Sequence, residues 1–301
     1  MPVTLLIDGD PLVYACGFVA ERRRHLLEWR DVTPDGDVGR YASFDAAWRR
    51  DRFIELMNLH PDEWASTIYS TPAPFGYAVQ AMRATLDGIE NHVGDYLRHN
   101  GLEPGESAIY LTGGKTFRDK IATIQPYKGN RTASRPYWYS KLREWMVAER
   151  GAIVTSGIEA DDAIAMLQWQ EQSALDPKTI LCTVDKDLNM VPGLHYNTKR
   201  KEAWWQTGDD AIVAFYRQLL TGDATDNIPG CYLLGPAKAE KMIVPGMTER
   251  QMFEIALYAY NVNIERYPDH HAPHTDPLEA LRENARLLHM LRGPDDEWRE
   301  P

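Results

Sequence analysis

The sequence predicts an α/β fold built on a parallel sheet. Three observations carry that expectation. Short apolar runs rich in β-branched residues recur along the chain, segments of helical periodicity separate them, and acidic residues gather just after the runs. VTLLI (3–7), SAIYLT (107–112), AIVTS (152–156) and TILCTV (179–184) are the four strands. Their near-continuous apolar character suits parallel strands covered on both faces.

In chain order, LVYACGFVAERRR (12–24) reads as a helix after the first strand. Residues 28–45 are polar and rich in Gly and Asp, a loop or small hairpin. Helical periodicity returns at 46–59 and 76–100, before the second strand. Residues 113–136 are irregular and basic, and 137–149 are helical. A helix starts near 160, between the third and fourth strands. Beyond the fourth strand the chain is mostly helical, at 209–220, 236–243, 248–262 and 279–291. Residues 267–277 are a loop, and its HHAPH is expected to be exposed rather than metal-binding. LHYNTKRKEAW (194–204) is expected to be a solvated turn, with a binding contact by the basic triplet Lys199–Lys201 as the alternative. The organisation expected is a core over 1–205, including an outlying region at about 113–150, and a helical C-terminal part over 206–301.

A chain of 301 residues, 44% hydrophobic and 26% charged, can bury a sizeable core and is not a disordered polymer. The N-terminal stretch is too short and acidic for a signal peptide, and no 18-residue apolar run occurs. Three dispersed cysteines form no disulfide framework. The expectation is a soluble, cytoplasmic monomer that does not bind membranes. A net charge of −11 argues against nucleic acid as a partner only if charge is evenly spread.

It is not. Asp8 follows the first strand, with Asp10 close behind. Glu159, Asp161 and Asp162 follow the third in GIEADDA (157–163), and Asp185 and Asp187 follow the fourth in TVDKDLN. Asp223 and Asp226 stand in TGDATDNIPG. Ligands of open parallel sheets bind beyond the carboxyl ends of the strands. Any one acid there could end a strand or cap a helix. Eight or nine converging on one edge would repel unless cations neutralise them. Oxygen-rich donors suit two Mg²⁺ or Mn²⁺ ions, while scarce Cys and no neighbouring His argue against zinc. Two such ions can activate water and stabilise a leaving oxygen in phosphodiester cleavage.

Residues 114–143 hold Lys115, Arg118, Lys120, Lys128, Arg131, Arg135, Lys141 and Arg143 against one acid, Asp119, with five interleaved aromatic residues. Such a stretch can neutralise phosphates and stack on bases. GGKT (113–116) is not a phosphate-binding loop, because the required glycine is replaced by Ile109. IPGCYLLGPAKAEKMI (228–243) places Gly230 and Gly235 in turns before a helix bearing Lys238, a pattern able to hold a DNA phosphate.

With these residues in place, the chain resembles the 5′→3′ exonuclease and flap endonuclease family, and its tailed-phage branch in particular. The matching segments are LLIDGDPLVYACGFVAE, GKTFRDKIATIQPYKGNR, GIEADDAIA, TVDKDLNMV and LTGDATDNIPGCYLLGPAKA, in family order over about residues 3–243. The resemblance implies a parallel-sheet nuclease core with a helical arch and a helix-hairpin-helix, the latter often holding K⁺ in relatives. It implies Asp8, Glu159, Asp161 and Asp185 around one metal ion, and Asp187, Asp223 and Asp226 around a second. Lys128 and Arg131 would position the scissile phosphate, and Asp162 would act through water. Arg118, Arg135, Lys141, Gly230, Gly235 and Lys238 would join Lys128 and Arg131 in holding nucleic acid. Relatives often carry Asp before the GKTFR run, where this chain has Leu111. The implied activity is metal-dependent 5′→3′ exonuclease and 5′-flap cleavage of duplex DNA, with RNA–DNA hybrids as further substrates. Removal of RNA primers, or non-catalytic binding on the same fold, are the alternatives.

Overall fold

The structure, a computed structural model, describes residues 2–33, 36–45, 65–131, 134–170, 174 and 176–301. The chain forms two compact units. The first comprises Met1–Pro11, Leu86–Ser134 and Met146–Pro301; the second comprises Leu12–Thr85 and Arg135–Trp145.

The first unit is built on a six-stranded sheet. Its strands are β1 (Val3–Asp8), β5 (Pro104–Leu111), β6 (Ile153–Val154), β7 (Thr179–Thr183), β8 (Gly193–Asn197) and β9 (Glu202–Gln206). Their order is β6-β5-β1-β7-β8-β9. β1 runs parallel to both β5 and β7, and all five residues of β7 are buried. All four apolar runs supply strands, but AIVTS yields only the two exposed residues of β6 at the sheet edge.

The expected all-parallel sheet needs correction. β9 is antiparallel to β8, so the sheet is mixed. LHYNTKRKEAW is a hairpin rather than a solvated turn; only its tip, residues 198–201, carries the basic triplet. Asn197 Oδ1 accepts the N–H groups of Lys199 and Arg200 at 3.1 and 2.8 Å, and Lys201 takes φ +59°. This side-chain-closed turn joins two short strands that carry Leu194, Tyr196, Trp204 and Trp205.

Helices α5 (Ala160–Gln170), α6 (Gly208–Thr221), α7 (Pro236–Met242), α8 (Glu249–Arg266) and α9 (Pro277–Leu288) complete this unit. Their starts follow capping chemistry. Thr207 accepts from the Asp210 N–H, Thr248 and Gln251 form a capping box, and Asp276 accepts from the Leu278 N–H. Tyr216, Leu219, Phe253, Tyr260 and Leu281 join Leu6, Ile164 and Leu181 in one core. Residues 206–301 thus pack as part of the sheet's own unit. HHAPH departs from expectation too: His271 is fully buried, with Nε2 2.8 Å from Asn263 Oδ1.

The second unit contains a three-stranded antiparallel sheet of β2 (Glu21–Thr33), β3 (Gly36–Asp45) and β4 (Ala65–Pro72), in the order β3-β2-β4. The helix expected to reach residue 24 stops earlier: α1 (Asp10–Val19) gives way to β2, where pairing on both edges overrides local periodicity. The helix expected at 46–59 lies outside the described residues. Helix α2 (Phe75–His99) and helix α4 (Tyr139–Arg150), each shared between the two units, match their expected spans closely, and α3 (Arg118–Ile121), a single turn inside the basic stretch, belongs to the first unit.

Candidate functional site

Sheet register brings the first acids together. Ile7 pairs with Cys182, which sets Asp8 at the end of β1 beside Thr183 at the end of β7. The Thr183 hydroxyl donates to Asp8 Oδ2 at 3.4 Å, and the Asp10 N–H donates to Asp8 Oδ1 at 3.2 Å. Asp10 Oδ2 in turn accepts the Thr112 N–H at 3.0 Å, so Asp10 sits at the mouth of β5. Leu111 is fully buried in the core, and the acid bonded just past that strand end is Asp10, the first residue of α1. Burial, then the charges of Asp10 and Asp185, push the Asp8 carboxyl up to about 8.

The three acids of GIEADDA separate in space because they start helix α5. Glu159 is buried, yet reaches the basic segment. Its Oε2 lies 2.8 Å from the Tyr127 hydroxyl, and Oε1 accepts from Lys128 Nζ. Asp161 is half-buried, and burial together with Glu159 and Asp162 raises its carboxyl well above the ordinary range. Asp162 turns inward and is fully buried. Arg118 grips it with Nη1 and Nη2 at 2.5 and 2.8 Å, and the Glu159 N–H donates to its Oδ2 at 3.1 Å.

Arg118 and Asp162 therefore depart from their expected roles. Arg118 is fully buried and also donates to the carbonyls of Leu287 (2.7 Å) and His289 (2.8 Å). Its donors are spent inside the protein, as a charge buried this deeply requires. In this conformation neither Arg118 nor Asp162 faces a substrate.

The remaining acids surround the loop after β7 and the turn after α6. The Asp185 carboxylate accepts the Asp187 N–H at 2.9 Å, and Gln218 Nε2 reaches both Asp187 Oδ1 (2.7 Å) and Asp223 Oδ2 (2.9 Å). Burial and Asp185 push Asp187 up to about 7. Burial would raise Asp223 as well. Lys186 at 2.8 Å and the N–H groups of Thr225 and Asp226 outweigh it and hold Asp223 below the usual carboxylate range.

The basic segment closes over the acids. Tyr127 places its hydroxyl 2.7 Å from Asp226 Oδ2 as well as against Glu159. Arg131 Nη2 donates to Asp226 Oδ1 at 2.6 Å, and Lys128 Nζ is 3.5 Å from Asp226 Oδ2. Lys128 adopts φ +55° while its N–H donates to the Asp226 carbonyl at 2.9 Å. Asn130 donates to the Ala224 carbonyl and Asn227 to the Pro126 carbonyl, tying residues 126–131 to the 223–227 turn.

The other expected nucleic-acid contacts are dispersed. Arg135 and Lys141 belong to the second unit and sit over the rings of Tyr139 and Trp138. Lys238 donates to the Leu233 carbonyl at 3.0 Å. Gly235 caps helix α7. Gly230, at φ +58°, lets two backbone segments cross: a Cβ there would stand 2.2 Å from the Gly222 nitrogen.

Among the described residues no group of three or more His, Cys, Asp or Glu is gathered tightly enough to hold a metal ion. The donors still fit a hard cation. All are oxygens, and Asp8, Asp161 and Asp185 are pushed above the ordinary carboxylate range with no ion pair to relieve them among the described residues. Lys186 and Gln218 are parts of the site that sequence reasoning passed over, and Tyr127, expected as a base-stacking ring, instead binds Glu159 and Asp226 through its hydroxyl. Lys186 carried a signal, standing between two acids after β7; Gln218 carried none beyond its neighbours.

No family model matches this chain. A region of 159 residues is 28% identical to DNA polymerase I of Rhizobium leguminosarum, covering 48% of this chain and 15% of the polymerase. Three solved structures from bacteriophage T5 are also similar. One, a protein crystallised with metal ions, is 17% identical with a TM-score of 0.41, over 65% of this chain and 92% of its own. A flap endonuclease in a pseudo-enzyme-product complex with DNA and metal ions is 13% identical with a TM-score of 0.41, over 68% and 91%. A mutant 5′-exonuclease is 14% identical with a TM-score of 0.40, over 68% and 93%. The chain spans only a small part of the polymerase, and the structural likenesses are of a low order.

Proposed function

We propose that this chain is a divalent-metal-dependent 5′-nuclease that cleaves phosphodiester bonds of duplex DNA at 5′ ends and flaps. The observation that carries the reading is the meeting of Lys128 and Arg131 with Glu159 and Asp226. Cations suited to phosphate lie directly against acids suited to metal. The sequence similarity to a DNA polymerase I supports it.

In this reading Asp8, Glu159, Asp161 and Asp185 would hold one Mg²⁺ or Mn²⁺, and Asp187, Asp223 and Asp226 would hold a second. When bound, such ions supply Lewis acidity and lower the pKa of water. The chain's own residues do the rest. Lys128 and Arg131 exchange their carboxylate partners for the scissile phosphate and fix its orientation. Tyr127 holds Glu159 and Asp226 at a set separation. The buried Arg118–Asp162 pair fixes the start of α5, and so the direction of Glu159 and Asp161. A potassium ion at residues 228–235 and cleavage of RNA strands in hybrids belong to the same reading.

The test is cleavage of 5′-labelled duplex, nicked, 5′-flap and RNA–DNA substrates with Mg²⁺, Mn²⁺ or chelator. Metal-dependent release of 5′-phosphorylated products is expected. Absence of metal-dependent cleavage on every substrate would overturn the proposal, and cleavage of RNA strands alone would favour primer removal.

A further inference from the structure

The residues proposed to hold phosphate sit on a segment with little regular structure, and something must fix it. Helix α9 does so at its upstream end. Glu283 is 7% exposed and directs both carboxylate oxygens at that segment. Oε1 accepts the N–H groups of Thr123 (2.7 Å) and Ile124 (2.8 Å), and Oε2 accepts from the Thr123 hydroxyl. His274 Nε2 lies 2.7 Å from Oε2. Two successive backbone N–H groups and a hydroxyl thus converge on one buried carboxylate. The same helix end supplies the carbonyls of Leu287 and His289 to Arg118. The segment is pinned again downstream, where the Lys128 N–H meets the Asp226 carbonyl.

Resting on the nuclease reading above, we propose that Glu283 is a positioning residue for Lys128. It touches neither substrate nor metal. By holding Thr123 and Ile124 it sets the path of residues 125–131, and so the place of the Lys128 ammonium. Burial opposes a charge at Glu283, but its donors outweigh burial and hold its carboxyl below the ordinary value, so the acceptor is an ionised carboxylate. Misplacement of a phosphate-binding group by about 1 Å costs up to about 10²-fold in rate.

The test measures single-turnover cleavage of a 5′-flap duplex at saturating Mg²⁺ for the parent, Glu283→Ala, Glu283→Gln, Thr123→Val and Lys128→Ala, and for the Glu283→Ala/Lys128→Ala pair. Glu283→Ala is expected to slow the step about tenfold or more with little change in the substrate concentration for half-saturation. Glu283→Gln, whose amide oxygen still accepts both N–H groups, is expected within about threefold of the parent, and Thr123→Val in between. The decisive readout is the cycle. In the Lys128→Ala background Glu283→Ala is expected to cost almost nothing, because the group it positions is gone. Equal slowing in both backgrounds, or a Glu283→Ala rate like the parent's, overturns the inference. Should Glu283→Ala not fold, Thr123→Val takes its place in the same cycle and the same outcomes decide. A parent without metal-dependent cleavage sinks the nuclease reading itself, whereas an active parent with an additive cycle sinks only the role of Glu283.

Discussion

Replacing Arg118 by alanine tests whether the interior of this site is an electrostatic unit. Arg118 and Asp162 are both fully buried, and the guanidinium donates to Asp162 through two nitrogens and to two main-chain carbonyls. Truncation strands a carboxylate without its counter-charge, which costs about 3–5 kcal/mol in buried pairs. The carbonyls of Leu287 and His289 lose a donor as well, at about 1 kcal/mol or more each. The Glu159 N–H remains as a partner for Asp162 and moderates the loss. A destabilisation of about 5 kcal/mol follows. In urea, with a slope of about 2.5 kcal/mol per molar, the unfolding midpoint should fall by about 2 M. Circular dichroism and tryptophan fluorescence over a urea series would measure it. Asp162→Asn alone should cost less, because the amide oxygen still accepts from Arg118. Arg118→Met combined with Asp162→Leu should recover much of the loss, since a buried pair can often be replaced by apolar groups. An Arg118→Ala midpoint within about 0.4 M of the parent would refute the argument.

Other consequences can be checked independently. Lys128→Ala should lower the single-turnover cleavage rate about 10²-fold while leaving substrate affinity nearly intact, as expected for loss of one charge-stabilising group; an unchanged rate contradicts its role. In metal-free protein, Asp8 at about 8 and Asp187 at about 7 hold protons that the unfolded chain, with ordinary carboxyls, has released. Stability should therefore rise as pH falls from about 8 to 6.5, by at most about 1.4 kcal/mol per pH unit per group. Below about 6.5 the slope should weaken, because buried His195 and His271, held near 4, stay neutral while the unfolded chain takes up protons. Chemical denaturation with chelator across that range measures it, and Asp8→Asn should flatten the upper part. Gly222→Ala should destabilise by about 3 kcal/mol or more. Gly222 takes φ +69°, and a Cβ would stand 2.2 Å from the Ile228 carbonyl oxygen; a thermal midpoint equal to the parent's would contradict the close crossing.

The runs at 3–7 and 179–184 read as strands in the sequence and are buried strands in the structure, because a strand covered on both faces must be apolar along its length, whereas AIVTS forms only a two-residue, exposed edge strand. The acids at the strand ends were legible for a related reason: a chain leaving a parallel sheet carries its next polar residues to one edge. The β8–β9 hairpin was not legible, since its turn is closed by the Asn197 side chain and its tip carries the basic triplet Lys199–Lys201. What Asp162 and Arg118 do was not legible either. GIEADDA offers three similar carboxylates, and only the direction each takes from the start of α5 distinguishes them. One turns inward to Arg118 and one outward to Lys128, while Asp161 has no ion pair among the described residues. Sequence alone determined which residue types occur and on which strand ends they fall, because composition and periodicity are local. Tertiary structure alone decided which charges meet, because Arg118, Asp162 and the carbonyl of Leu287 are far apart in the chain and a charge's partner is set by distance in space.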